Sequence, residues 1–358
     1  MSRSAIAVID TSAFVANYRY AKLLAPQARA LAVIKANGYG HGAVQLAHAL
    51  GDEADAFAVA CTEEAMELRE SGVQQPIVLL EGAFEPQEID NAALCGFTLV
   101  VHAAHQLDWL EQARPSQPID AWLKVDTGMH RLGFAPAALA TALERLQAIP
   151  HVRNIVLMSH FARADEPDCD ATERQLAEFD DATGPYNLPS SMANSAGIIA
   201  WPAAHRAWIR PGIMLYGSSP LPTDAIPQPT LRPVMNLESR LIAVRDLAAG
   251  ESIGYGGRFT CSANTRVGVV AMGYADGYPR HAPDGTPVAV NGKRTQLMGR
   301  VSMDMLTVDL SDQPDAQVGD HVQLWGDAVA ASEVAQASGT IAYELFTKVT
   351  RRVHFQYR

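Results

Sequence analysis

The chain has 358 residues, 48% of them hydrophobic and 19% charged, so it can bury a large core and is not a disordered segment. A formal net charge of -11 argues against a nucleic-acid footprint, and no apolar run approaches the ~20 residues of a membrane span. Cys61, Cys95, Cys169 and Cys261 are far apart without metal-ligand spacing, which fits reduced thiols in a cytoplasmic protein and no metal site.

The N-terminal MSRSAIAVID carries no basic region followed by a long apolar core, so no secretory signal is expected. Its strand-like SAIAVID cannot be assigned to a domain by pattern. Eight short apolar runs then follow: 31–37 (LAVIKAN), 56–61, 76–82, 97–102, 121–126, 155–161, 191–197 and 208–217. Helical patterns lie between most of them. TEEAMELRES has Thr62 as its expected N-cap, PAALATALERLQAI has Pro136 near its first turn, and a further helix is expected to begin near Ala43. An open doubly wound sheet also alternates in this way. Eight repeats in about 200 residues favour a closed TIM-like (β/α)8 barrel over 9–233.

The character changes at PLPTDAIPQPTLRP (220–233), which is proline-rich, has no helical period and reads as a linker. Strand-like runs separated by DG and NG turn pairs follow, with one helical segment, ASEVAQAS. A mostly β domain is expected over 234–358.

Active-site groups of such barrels sit at the C-terminal strand ends. The ends here carry Lys35, then Lys124 leading into Arg131, His160, Asn194 with Ser195, and Arg210 with Gly212. A lone lysine or arginine at a strand end is ordinarily solvated, and a lone histidine is ordinarily a satisfied core residue. Polar groups converging on one barrel mouth from five strands are harder to dismiss. A lysine held inside a barrel loses solvation, and its neutral amine can form a Schiff base with an aldehyde such as pyridoxal 5′-phosphate (PLP). Ser195, Gly212 and Ile213 are placed to offer a hydroxyl and backbone N–H groups to a phosphate, and Arg210 to face a pyridine nitrogen.

The string AVIKANGYGHG resembles the PLP-lysine segment of alanine racemases, which are fold-type III PLP enzymes. KVDTGMHRLGF (124–134), SHFARADE (159–166), ANSAG (193–197), RPGIMLYG (210–217), SIGYGGRF (252–259), MGYADGYPR (272–280), GRVSMDM (299–305) and AYEL (342–345) agree with that family, in order and over nearly the whole chain. The chain looks most like the proteobacterial catabolic branch. The resemblance implies a PLP-binding barrel, a C-terminal β domain that takes in the N-terminal strand 1–8, and a head-to-tail homodimer. In that dimer the β domain contributes to the other subunit's site.

The resemblance further implies interconversion of L-alanine and D-alanine by two bases on opposite faces, with Lys35 acting on D-alanine and Tyr255 of the other subunit on L-alanine. A free phenol titrates near pH 10, so such a tyrosine needs positive charge nearby, for which Arg131 and His160 are the family's candidates. Arg131 also contacts the substrate carboxylate, His160 lies at the cofactor, and Tyr39 and Tyr343 hold its phosphate. Tyr274 and Met303, from the second subunit, narrow the pocket, with Asp304 beside them. Lys124 matches a family lysine that is carbamylated in some members and then orients Arg131. Because arginine stays protonated, Arg210 is expected to leave the cofactor ring nitrogen unprotonated, which would weaken the electron sink and limit transamination.

Two positions depart from the family pattern: Gly38 where alanine is commoner, and Ser302 where some members have cysteine. A related PLP decarboxylase would need a glycine-rich phosphate loop and a cysteine donor, which are not found. A broad-specificity racemase would often carry a signal peptide. A non-catalytic PLP carrier would lack the second domain and the opposed tyrosine.

Overall fold

The structure is a computed structural model describing residues 3–222 and 229–358. Strand β1 (Ile6–Ile9) leads into the helix Thr11–Leu24, whose N-cap Asp10 accepts from the Ala13 amide at 2.9 Å. Eight parallel strands then close on themselves: β2 (Arg29–Val33), β3 (Ala56–Val59), β4 (Ile77–Leu79), β5 (Phe97–Val101), β6 (Ile119–Lys124), β7 (Val152–Met158), β8 (Ser190–Ser191) and β9 (Trp208–Ile209). Closure comes from β9 pairing with β2 through Arg29↔Trp208 and Ala30↔Ile209. Most residues of β2 to β6 are buried, because the barrel interior lies on one side and helices on the other. This is why these strands read as unbroken apolar runs.

The expected barrel is present, with strand limits that differ from the sequence reading. The run 31–37 is strand only to Val33, and Lys35–Gly40 is a separate turn. The runs 191–197 and 208–217 are strand only at β8 and β9; Ser195–Ala200 is a helix and Ile213–Tyr216 a 3-10 turn. Asn194 starts that helix by accepting from the Gly197 amide at 2.9 Å, and Pro211 has no N–H with which to prolong β9. Thr62 is not an N-cap: Cys61 takes that position, and the Thr62 hydroxyl is buried without a partner among the described residues. The helices Thr11–Leu24, Glu88–Cys95 and Ala342–Thr347 were not anticipated. Of the expected linker 220–233, residues 223–228 lie outside the described residues, as do residues 1 and 2 of the strand assigned to 1–8.

The second half is mostly strand: β10 (Met235–Leu247), β11 (Ser252–Ile253), β12 (Phe259–Thr260), β13 (Thr265–Val270), β14 (Pro287–Val290), β15 (Lys293–Gln296), β16 (Leu306–Asp309), β17 (His321–Trp325) and β18 (His354–Tyr357). One sheet runs β15-β14-β17-β10-β1-β18, with β13 joining β10 to β16. β1 lies between β10 and β18, so by pairing it belongs with the C-terminal strands. Barrel and sheet share a continuous hydrophobic core that includes Tyr216, Val234, Trp325 and Phe346. The helix Ala342–Thr347 packs directly on the turn after β2: a Cβ at Gly40 would lie 2.3 Å from the Phe346 carbonyl oxygen. Only glycine allows that approach.

Candidate active site

A cavity of about 740 Å³ opens where the barrel strands end and the helix Ala342–Thr347 covers them. Lys35, Tyr39, Lys124, Arg131 and His160 line it, and so do Ser195, Arg210, Gly212, Ile213 and Tyr343. These residues come from β2, β6, β7, the β8 and β9 ends and the C-terminal helix, and the barrel topology brings them together.

Lys35 is half-buried and opens a turn of unusual backbone. Ala36, Asn37, Gly38 and Tyr39 have φ of 53, 52, 60 and 48° with ψ near the left-handed helical value. Each non-glycine residue held there costs about 1–2 kcal/mol, so packing and hydrogen bonds must hold the turn. The Ala36 amide donates to Glu64 Oε1 at 2.6 Å, the Ala43 amide to Asn37 Oδ1 at 2.9 Å, and His41 Nδ1 lies 2.9 Å from the Tyr39 carbonyl. The turn puts Lys35 and Tyr39 on the same cavity wall. Tyr39 stacks on Tyr216 at 4.6 Å between ring centroids. Burial raises the Tyr39 phenol and lifts that of Tyr343 to about 12, so both are protonated donors at neutral pH.

Across the cavity the Ser195 hydroxyl accepts from the amides of Gly212 at 2.9 Å and Met214 at 3.3 Å. A Cβ at Gly212 would stand 2.8 Å from the Tyr39 hydroxyl, so that glycine lets the tyrosine reach the amide cluster. Amides, a serine hydroxyl and two phenols thus converge on one end of the cavity.

Arg210 is buried and has no carboxylate partner among the described residues. Its guanidinium donates to Ser191 Oγ and the Ser159 carbonyl at 2.6 Å and to the Met192 carbonyl at 3.1 Å. Burial lowers it to about 10, which leaves it charged at neutral pH. His160 is pushed well below its ordinary value by burial first and by Arg210 next. Lys124 falls to about 8, again by burial and then by Arg210 and Arg131. Arg131 reaches the cavity because the segment after β6 folds back. Asp126 accepts from the Gly128 and His130 amides at 3.1 and 2.9 Å, and the Phe134 amide donates to the Lys124 carbonyl at 2.8 Å. The cavity is therefore rich in cations and suits an anionic ligand.

This donor set fits PLP. It offers a primary amine for the aldehyde, a fixed guanidinium for the ring nitrogen, and hydroxyls with amides for the phosphate.

Tyr255, Tyr274, Met303 and Asp304 do not line this cavity. Tyr255 is 71% exposed, Met303 52% and Tyr274 37%. Tyr274 and Met303 share one surface region: the Tyr274 amide donates to the Ser302 carbonyl and the Ala275 amide to the Met303 carbonyl, both at 3.0 Å. Arg3 ties that region down, donating to buried Asp276 and to the Asp304 carbonyl at 2.8 Å, while Arg352 pairs with the Asp304 carboxylate at 2.6 Å. The sequence reading missed Glu64 and His41 at the turn and Glu81 in the cavity lining. Glu64 had a local signal, an acid in the first turn of a helix, but its partner on another strand unit leaves no trace in local sequence.

A closed barrel with a strand-end amine, an amide–hydroxyl cradle and an attached β sheet suits a barrel-type PLP enzyme. The alanine racemase N-terminal domain model matches residues 9–220 and the alanine racemase C-terminal domain model residues 234–357. An alanine racemase of Azoarcus sp. (strain BH72) is 54% identical, covering 99% of each chain, and a catabolic alanine racemase of Pseudomonas putida is 53% identical, covering 98% of each. The biosynthetic alanine racemase of Pseudomonas aeruginosa superposes with a TM-score of 0.96 at 50% identity, covering 99% of each chain. The alanine racemase of Bartonella henselae, solved with covalently bound pyridoxal phosphate, does so with a TM-score of 0.89 at 30% identity, covering 99% of each chain. The chain belongs to the alanine racemase family.

Proposed function

We propose that this chain interconverts L-alanine and D-alanine with PLP as its cofactor, in a head-to-tail homodimer whose two sites each draw on both copies. The observation that carries the reading is the division of the residues. Lys35, Arg131, Arg210 and the Ser195–Gly212 cradle share one cavity, while Tyr255, Tyr274 and Met303 stand exposed outside it. A second copy bringing the exposed set to the cavity mouth completes the opposed pair that racemisation requires.

The cofactor, when bound, supplies an electron sink that acidifies the Cα–H of an attached amino acid. Lys35 Nζ would hold the cofactor through its aldehyde, and the same amine would take or return the Cα proton on the face used by D-alanine. The Tyr255 phenol of the second copy does the same on the face used by L-alanine. Ser195, the amides of Gly212 and Ile213, and the Tyr39 and Tyr343 hydroxyls hold the phosphate. Arg210 would offer a donor to the ring nitrogen while keeping its own proton. Arg131 orients the substrate carboxylate, and a carbamate on Lys124 fixes Arg131 in turn. His160 packs beside the cofactor as a neutral imidazole.

Met303 and Tyr274 of the second copy, beside Asp304, narrow the entrance to alanine size. Shape exclusion of one extra group is worth ~1–3 kcal/mol, so serine is expected to turn over slowly. Enantiomers have equal free energy, so the direction of net flux follows whichever reaction consumes the product. The same cytoplasmic enzyme then serves either D-alanine supply for the peptidoglycan wall or alanine breakdown.

The test is formation of L-alanine from D-alanine by the PLP-loaded chain, with Lys35→Ala as control. Turnover in wild type and none in the variant supports the reading; equal turnover in both overturns it.

A further inference from the structure

We propose that Glu64 is a positioning residue for Lys35 and Tyr39, acting through the left-handed turn that carries both; this rests on the racemase reading above. Glu64 lies in the first turn of the helix Thr62–Glu70, directly after β3. One carboxylate oxygen accepts from the Ala60 amide at 2.8 Å, one residue before the N-cap Cys61, which ties it to the start of its own helix. The other accepts from the Ala36 amide at 2.6 Å, on the neighbouring strand unit, and helix capping does not account for it.

The turn needs such a hold. A left-handed run of consecutive L-residues is not maintained by local preference, since αL is visited by single residues. At its far end Asn37 binds the Ala43 amide, and His41 holds the Tyr39 carbonyl from within the same segment. Tyr39 is also fixed by stacking on Tyr216. At the Lys35 end, the first left-handed residue is Ala36, and the Glu64 carboxylate is the side-chain acceptor reaching it from another element. A charged acceptor on a backbone amide makes a strong hydrogen bond. Without it the Ala36 amide turns to solvent, because Ala36 is exposed, and the start of the turn relaxes. Lys35 should then lose its aim more than Tyr39 does.

The experiment compares wild type, Glu64→Ala and Glu64→Gln, the last keeping one acceptor oxygen. PLP is titrated into the cofactor-free chain, thermal melting is recorded, and Cα-deuterium isotope effects on turnover are measured from D-alanine and from L-alanine. For Glu64→Ala the expected result is about tenfold weaker PLP binding, the size of one lost charge-assisted hydrogen bond. The isotope effect should rise from D-alanine, whose proton Lys35 takes, and stay at the wild-type value from L-alanine. Glu64→Gln should fall between the two. Wild-type affinity and isotope effects in Glu64→Ala would overturn the proposal, and so would a lower melting temperature with both directions slowed alike and isotope effects unchanged. If Glu64→Ala does not fold, Glu64→Gln is judged by the same pattern. If wild type binds PLP but does not racemise alanine, the racemase reading fails, and the PLP titration alone decides for or against Glu64.

Discussion

Arg210 Nη2 lies 3.3 Å from Nδ1 of His160. A guanidinium has only donors, so Nδ1 must accept, and the imidazole proton of the neutral ring sits on Nε2. Burial and then the neighbouring Arg210 hold His160 well below its ordinary range. Nitrogen NMR of the His160 ring should therefore report one neutral Nε2–H tautomer at pH 6 and at pH 8. A ring that becomes charged between those values would contradict the finding.

His41 carries a pH-dependent load on stability. It is fully buried between Tyr216 and Phe346, its Nε2 has no partner among the described residues, and burial lowers it from 6.5 to about 4. The folded state then binds this proton less readily than the unfolded chain. Its stabilising contribution is complete above pH 6.5 and is lost as the pH falls toward 4, by roughly 3 kcal/mol at most. His160 adds a slope of the same sign, so the difference between variants is the test. Urea midpoints at pH 7.5 and pH 5 should converge for His41→Phe relative to wild type; equal acid loss in the two proteins would contradict the assignment.

Arg210 bears on the choice of reaction. Its Nη1 donates to Ser191 and its Nη2 to Ser159 and Met192, which fixes the guanidinium, and burial to about 10 leaves it charged. Arg210→Glu replaces a permanent donor with a group that can give up a proton, which strengthens the electron sink. Pyruvate formed per racemisation event should rise several-fold, with an overall cost in stability of about 2–4 kcal/mol from the stranded carbonyls. An unchanged pyruvate ratio in the folded variant would remove the argument.

Lys124 is lowered to about 8 by burial and by Arg210 and Arg131, so a neutral amine is available near physiological pH. Labelled bicarbonate should give wild type a carbamate carbon resonance that is absent in Lys124→Met. The same signal in both proteins, or in neither, would rule out the modification.

The barrel was legible because parallel strands buried on both faces leave apolar runs, as in Leu31–Val33 and Phe97–Val101. The order of strand ends then placed Lys35, Lys124, His160 and Arg210 around one mouth. The lysine turn was not legible. Ala36, Asn37 and Tyr39 have no local reason to be left-handed, and the contacts that hold them involve Glu64 and the Phe346 backbone, on separate elements. The runs around Ser195 and Ile213 misled for a related reason: short apolar stretches do not separate a strand from a helical turn. The helix that brings Tyr343 to the cavity has only six residues, too few for a period to show. Exposure of Tyr255 and Met303 is a property of the folded surface, and the resemblance alone had pointed to those two residues.

The two-base reading is tested most directly by Cα proton exchange in deuterated water. Initial deuterium incorporation from L-alanine and from D-alanine is compared in wild type and Tyr255→Phe, both loaded with PLP. The expected result is a large loss of exchange from L-alanine in Tyr255→Phe, with exchange from D-alanine through Lys35 retained. Equal loss from both enantiomers, or none from either, would contradict opposed roles for Lys35 and Tyr255.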